Sequence, residues 1–212
     1  MIANKLIKRT ISSFEKNVIN LTKERKKIGI PPKALELDEV SELCNLLELD
    51  NQNKDFLKYQ FINRINPGVD ETAKLKAGFL NNILIENTFS PYIDKSEAIN
   101  ILGTMQGGYN IEPLLNQLTN KDLGENSANQ LKNMTLLFDY FYDIEKLYKK
   151  GNKNAELILN SWANAEWFKQ KQSVPEKISL VVFKVTGETN TDDLSPALDA
   201  WSRPDIPLHS LS

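Results

Sequence analysis

Apolar side chains recur at alternating spacings of four and three from the start of the chain: Ile7, Ile11, Phe14, Val18 and Leu21 would share one helical face. This helix runs into Lys23, Arg25, Lys26 and Lys27, cations that suit the negative pole of a helix dipole, before Gly29 and Pro31-Pro32 stop it. A second helix is expected with Asp38 as N-cap and Val40, Leu43 and Leu47 turned inward. A third, around 55–64, presents Leu57, Phe61 and Ile65, and the Asn66-Pro67-Gly68 turn closes the pair. Asp70 then caps a helix whose apolar side carries Leu75, Phe79, Leu80 and Ile83. Asp94 and Glu97 have capping-box spacing, Ile99 and Leu102 follow, and Gly103 ends that helix. Further helical stretches are expected near 111–119, 123–137, 139–149 and 153–168, with Phe141, Ile144 and Tyr148 keeping the period in the third.

Helices of this length, joined in successive pairs by short turns, predict a mainly α fold. Two arrangements fit: a right-handed stack of helical hairpins, or a compact irregular bundle, since no clean repeat of fixed period is visible. Beyond Pro175 the pattern changes. Ile178-Ser-Leu-Val-Val-Phe-Lys-Val185 is rich in β-branched and aromatic residues and short enough for a strand, and Thr186 to Pro196 forms a polar, turn-rich loop. One strand leaves donors and acceptors open on both edges, so this region needs completion by further chain. The expected division is a helical domain over 1–170 and the beginning of a second domain over 171–212, with poor packing after about 176.

Composition narrows the chemistry. Across 212 residues the apolar fraction is 41% and the net charge −2, with an isoelectric point near 5.6, so no general field attracts nucleic acid or anionic membrane. No run reaches the roughly 18 apolar residues of a membrane span, and the N-terminal stretch is too polar for a secretory signal, which points to the cytoplasm. Cys44 is the one cysteine and His209 the one histidine. Neither a disulfide nor a cysteine-ligated cluster can be built from them, and Cys44 fits a helical pattern as a buried structural thiol. His209 reads as solvated. The Lys23–Lys27 cluster suits a solvated helix end, and an acidic partner or RNA is its alternative use.

Leu102-Gly-Thr-Met-Gln-Gly-Gly-Tyr-Asn-Ile111 superficially suggests a phosphate loop, but it lacks the Lys-Ser/Thr after the last glycine and no strand precedes it. A joint between helices, with Gly107-Gly108 at unusual backbone angles and Asn110 capping the next helix, is the better account. Together with Ile30-Pro-Pro-Lys-Ala-Leu35, Pro67-Gly-Val-Asp-Glu71, Lys76-Ala-Gly-Phe-Leu80, Ser161-Trp-Ala-Asn-Ala-Glu-Trp-Phe168 and the block from Phe183 to Leu208, this stretch resembles the B-type aconitases. The resemblance runs in order from about residue 15, with Glu112 where the family commonly has histidine and Leu198 where it commonly has proline.

That resemblance implies a HEAT-like helical domain followed by the first strand and loop of an incomplete α/β swivel domain. It also implies an enzyme of the tricarboxylic acid cycle that interconverts citrate and isocitrate through cis-aconitate on a [4Fe-4S] cluster. The family's cluster cysteines and serine base would lie beyond residue 212, so this chain is expected to bind no cofactor and to be inactive alone. By the match at Trp201-Ser-Arg-Pro204, Arg203 corresponds to a substrate-binding arginine. A guanidinium can clamp a carboxylate of a tricarboxylate substrate bidentately, and Pro204 restricts how that arginine is aimed. Asp192 and Asp193, adjacent in a loop, suit turn and cap duties better than an acid–base dyad. The implied partners are the remainder of the aconitase chain and, through the helical domain, a second copy or other metabolic enzymes. A free-standing interaction or dimerisation module, with RNA as a further ligand, is the competing function.

Overall fold

Short local signals set several of the helix boundaries. The computed structural model describes residues 2–29, 32–50, 53–106, 108–134, 137–169, 175–182 and 184–194. Its elements are α1 (Ile2–Lys27), α2 (Leu37–Leu47), α3 (Lys54–Asn63), α4 (Glu71–Leu84), α5 (Lys95–Gly103), α6 (Ile111–Asn116) and α7 (Gly124–Leu131). A 3-10 turn (Phe138–Tyr140) leads into α8 (Phe141–Lys149), followed by α9 (Lys153–Ala163), α10 (Glu166–Lys169) and α11 (Thr191–Leu194). Asp70 accepts from the Ala73 N–H at 2.8 Å and Asp94 from the Glu97 N–H at 2.8 Å, as the cap spacing predicts. Asp38 is not a cap. The helix begins two residues earlier than that cap would set it, at Leu37, with Glu36 in the N-cap position and its N–H donating to Glu39 Oε2 at 2.9 Å. The expected helix over 153–168 is interrupted between α9 and α10, where Ala165 takes a left-handed φ of 50°.

The helices pack as consecutive pairs. α2 lies on α3, α4 on α5, α6 on α7 and α8 on α9, while α2·α4, α5·α7 and α7·α9 contacts join each pair to the next. Each helix is too short to cover its own apolar stripe, so it is buried by its pair mate and by the following pair. Val40, Leu43, Leu47, Leu57, Phe61, Leu80, Ile99 and Leu102 are fully enclosed, each contributing roughly 1.5–3 kcal/mol by burial. In α1, Phe14 and Val18 are buried, whereas Leu21 is 44% exposed and faces away from the core. In α8 only Ile144 is enclosed; Phe141 and Tyr148 lie near the surface, and Phe141 stacks on Trp162 with ring centroids 6.3 Å apart.

A second regularity concerns helix ends. The last carbonyls of a helix have no intrahelical donor, and burying them unpaired is costly. Here a side chain from a later segment reaches back to them repeatedly. Ser90 Oγ donates to the Leu47 carbonyl at the end of α2 (2.7 Å), and the Tyr92 hydroxyl to Leu49 (2.9 Å). Lys76 Nζ donates to Ile62 at the end of α3 (3.1 Å), and Ser127 Oγ to Leu114 in α6 (2.6 Å). Asn152 and Asn154 both reach the Leu118 carbonyl (3.0 and 2.8 Å), and Trp162 Nε1 reaches Lys132 after α7 (3.0 Å).

The 102–111 stretch is a joint of the same kind. α5, not a strand, precedes it, and Gly108 adopts φ 101°, open to a glycine and strained for other residues; Gly107 lies outside the described residues. Asn110 stands in the N-cap position of α6 but its side chain makes no cap bond there. Instead Nδ2 points back to the carbonyls of Leu102 and Met105, both at 2.8 Å, with Asn110 1% exposed. Gly103, the last residue of α5, lies against Gln130 of α7: a Cβ there would fall 2.0 Å from Gln130 Oε1, so that side chain would have to swing aside.

Among the described residues no strand forms. Residues 178–182 and 184–185, expected as a strand, are irregular, with Leu180, Val181 and Val182 78–88% exposed. Their β-propensity has no neighbouring strand to supply ladder bonds, and propensity without pairing does not make a strand. The polar loop after them contains the single turn of α11, closed by reciprocal bonds between Asn190 and Asp193 at 2.9 and 3.0 Å.

The joint yields a graded test. Asn110→Ala takes the side-chain donor from the Met105 carbonyl and one donor from the Leu102 carbonyl, which keeps the Met105 N–H, and should cost about 1–3 kcal/mol in urea unfolding. Asn110→Asp should cost more, because a carboxylate turns acceptors toward acceptors. A midpoint unchanged in Asn110→Ala would remove the role given to this side chain.

Candidate functional site

Arg203 and His209, the substrate-contact and solvated residues of the sequence analysis, lie outside the described residues. Asp193 is occupied as a cap, its carboxylate accepting from the Asn190 N–H. In the basic cluster, Lys23, Lys26 and Lys27 are exposed and Arg25 is half-buried, a solvated helix end with its cations at the dipole's negative pole.

The structure brings together two ionisable groups in the core. Cys44 on α2 is buried, as its helical spacing implied, and its thiol is pushed up to about 12 by burial, then by Glu48, with Lys76 acting against them. Lys76 on α4 is 1% exposed and its ammonium is brought down to about 8 by burial, with Cys44 acting the other way. Leu75, expected on the apolar side of α4, is only half-buried, and Lys76 takes the inward position. The signal was present in the spacing, since Lys76 lies three residues after Ala73 and four before Leu80, both fully buried.

Lys76 Nζ is accommodated by the Ile62 carbonyl, at the negative pole of α3, and by the face of Phe61, 5.4 Å from its centroid. Phe61 is itself fixed by an edge contact with Phe79, centroids 5.4 Å apart. An enclosed lysine with these partners is a structural cation, because no substrate reaches it. Cys44 is equally unsuited to ligation. A metal or cluster binds the thiolate, and this thiol is held neutral. No group of three or more His, Cys, Asp or Glu among the described residues could hold a metal ion. The described residues thus do not fit the iron–sulfur cluster that the family resemblance implies.

An open cleft of about 580 Å³ sits at the α4–α5 connection, lined by Ile83, Phe89, Ile93 and Lys95 among others. The connection is anchored by Ser90 and Tyr92 on the end of α2, and Glu86 takes a left-handed φ of 63° within it. Lys95 pairs with Glu86 and holds that carboxyl below its ordinary range through a hydrogen bond. The lining lysine is already paired, so the cleft offers apolar contact and a neutralised rim rather than a clamp for a multiply charged acid.

The buried pair makes pH a probe of the core. Lys76 titrates near 8 in the fold against an ordinary value near 10.5, so its contribution is present at high pH and lost as pH falls through about 8. Cys44 titrates near 12 against about 9.0, so its contribution is present at low pH and lost as pH rises above about 9. The two oppose each other in the alkaline window. Lys76→Met removes only the first. Between about pH 7.5 and pH 9.5 its melting temperature should fall relative to the parent chain, by at least about 3 °C. Parallel curves would mean the ammonium is solvated.

Comparison with known proteins bears on the whole chain. The Aconitate B N-terminal domain family matches residues 18–168, and the Aconitate hydratase 2 N-terminus family matches residues 180–212. Aconitate hydratase B of Pseudomonas aeruginosa is 49% identical over 203 residues, covering 95% of this chain and 23% of the relative. The Escherichia coli aconitate hydratase B is 50% identical over 190 residues, covering 89% of this chain and 22% of the relative. That of Salmonella typhimurium is 50% identical over 188 residues, covering 88% and 22%. The chain therefore spans a little over a fifth of the length of these relatives. With a helical body matched from α1 to α10 and a second family matched across the segment that follows, the chain belongs to the Aconitate B N-terminal domain family.

Proposed function

We propose that this chain is the N-terminal helical module of an aconitate hydratase that interconverts citrate and isocitrate through cis-aconitate, and that it is inactive by itself. The observation that carries this is the match over 95% of the chain, which extends through the block containing Arg203. In this reading residues 1–170 form a HEAT-like domain, an assignment supported by pairs of helices that each contact the next pair. Residues 171–212 begin a swivel domain, whose strand awaits a pairing edge from further chain; the exposed apolar run at 178–182 supports that.

Arg203 is assigned to bind substrate. Its guanidinium presents parallel N–H donors to a carboxylate and stays charged at any working pH, so it orients and neutralises the acid without exchanging protons. The [4Fe-4S] cluster and the groups that move protons are assigned to residues outside this chain. The principal partner is the remainder of the aconitase chain.

A second reading, a free-standing module that binds a second copy, another metabolic enzyme or RNA, is favoured by Phe89 and Tyr142, each about three-quarters exposed. Monomeric sedimentation of the chain with no salt-sensitive RNA binding would eliminate the second copy and RNA as its ligands.

The primary reading is tested in a chimera in which this chain replaces the matching segment of the Escherichia coli enzyme. The chimera should hydrate cis-aconitate, the chain alone should not, and Arg203→Lys in the chimera should lower kcat/KM about tenfold or more. Turnover by the isolated chain, or an unaffected Arg203→Lys chimera, would overturn the assignment.

A further inference from the structure

Gly29 occupies an unusual position after the end of α1. Its φ is 75°, and its N–H closes the helix end by donating to the Lys26 carbonyl at 3.1 Å. A left-handed residue that stops a helix is common and by itself says little. The second feature is spatial. A Cβ built on Gly29 would lie 2.9 Å from the carbonyl oxygen of Lys184. That atom is backbone, so no rotamer change relieves the overlap; one of the two backbone segments must move. The other left-handed glycines of the described chain, Gly108, Gly151 and Gly187, have nothing within 4 Å of such a Cβ.

Lys184 belongs to the segment that follows the helical body, and that segment is otherwise poorly attached. Leu180, Val181 and Val182 are 78–88% exposed, and Val185 is 46% exposed. α11 is held by bonds between its own neighbours, Asn190 and Asp193. Side-chain charge does not bring Lys184 to this place, because Lys26 and Lys27 are close along α1 and carry the same sign. What the site offers is absence of bulk. A glycine lets a carbonyl oxygen approach Cα, where polarised C–H groups make a weak favourable contact.

We propose that Gly29 is a docking point for the Lys184 backbone and a positioning residue for the segment that leads to Arg203. The contact sets where that segment leaves the helical body, and so where the second domain starts. This rests on the proposed function only for its consequence in catalysis; the contact itself concerns this chain alone.

The Lys184–Val185 bond gives a direct readout, because trypsin must engage the same carbonyl that Gly29 covers. Lys177 supplies an exposed reference site in the same segment. In the native chain, cleavage after Lys184 relative to Lys177 should be at least about fivefold slower than the ratio measured for the urea-unfolded chain, the measure of opening that proteolysis reports. Gly29→Asn tolerates the left-handed backbone but adds a Cβ; it should restore the unfolded ratio. Gly151→Asn, at φ 82° in open space, should leave the native ratio unchanged and so controls for the strain of the substitution. Equal native and unfolded ratios, or a ratio insensitive to Gly29→Asn, would overturn the docking point. In the Escherichia coli chimera, Gly29→Asn should lower kcat while leaving the thermal midpoint close to that of Gly151→Asn. An unchanged kcat with a changed cleavage ratio would overturn the positioning role alone. An inactive parent chimera would count against the proposed function, while the proteolysis result would still decide the contact.

Discussion

The carbonyl oxygens at the ends of short helices are the constraint from which much of this architecture follows. A helix of about ten residues spends a large share of its carbonyls in its last turn, where none finds an intrahelical donor. In a stack of such helices those ends are driven into the interior by the burial of the apolar faces beside them. The structure meets the demand with donors carried by later segments: Ser90 and Tyr92 for α2, Lys76 for α3, Asn110 for α5, Ser127 for α6 and Trp162 for the end of α7. Each bond ties a helix end to a later segment of the chain and penalises any slide of one pair along the next. Apolar burial holds the pairs together, and these bonds decide where each one stops.

This arrangement explains why the buried polar groups of the helical body are not a catalytic centre. Lys76 and Cys44 have displaced titration behaviour, the property that often marks an active site. Both displacements arise chiefly from burial, and the lysine is already committed to a carbonyl and an aromatic face. In the function we propose, substrate binding is assigned instead to Arg203. The helical body supplies a rigid support, and Gly29 the place where the following segment is fastened to it.

The apolar run at 178–182 shows how a local preference can lack its means of expression. Its β-branched residues favour extended backbone, yet every ladder bond needs a partner strand, and the described chain has none to give. A short helix formed in the expected polar loop for the opposite reason. Asn190 and Asp193 satisfy each other's backbone N–H groups locally, with no need of a distant partner.

The amino-acid sequence alone determined the helical class, the caps at Asp70 and Asp94, the inward faces of α2 and α3, the burial of Cys44 and the family resemblance. These rest on relations between residues a few positions apart, or on long ordered blocks, and both survive in a linear reading. It did not determine that Lys76 rather than Leu75 turns inward, that Asn110 caps the helix before it rather than the one after, that Gly103 lies against Gln130, or that Gly29 faces Lys184. Those features depend on carbonyls, ring faces and backbone brought from elsewhere in the chain. Only the tertiary structure decides them, because a polar group is buried where its partner is, and the partner's place is set by how the helices pack.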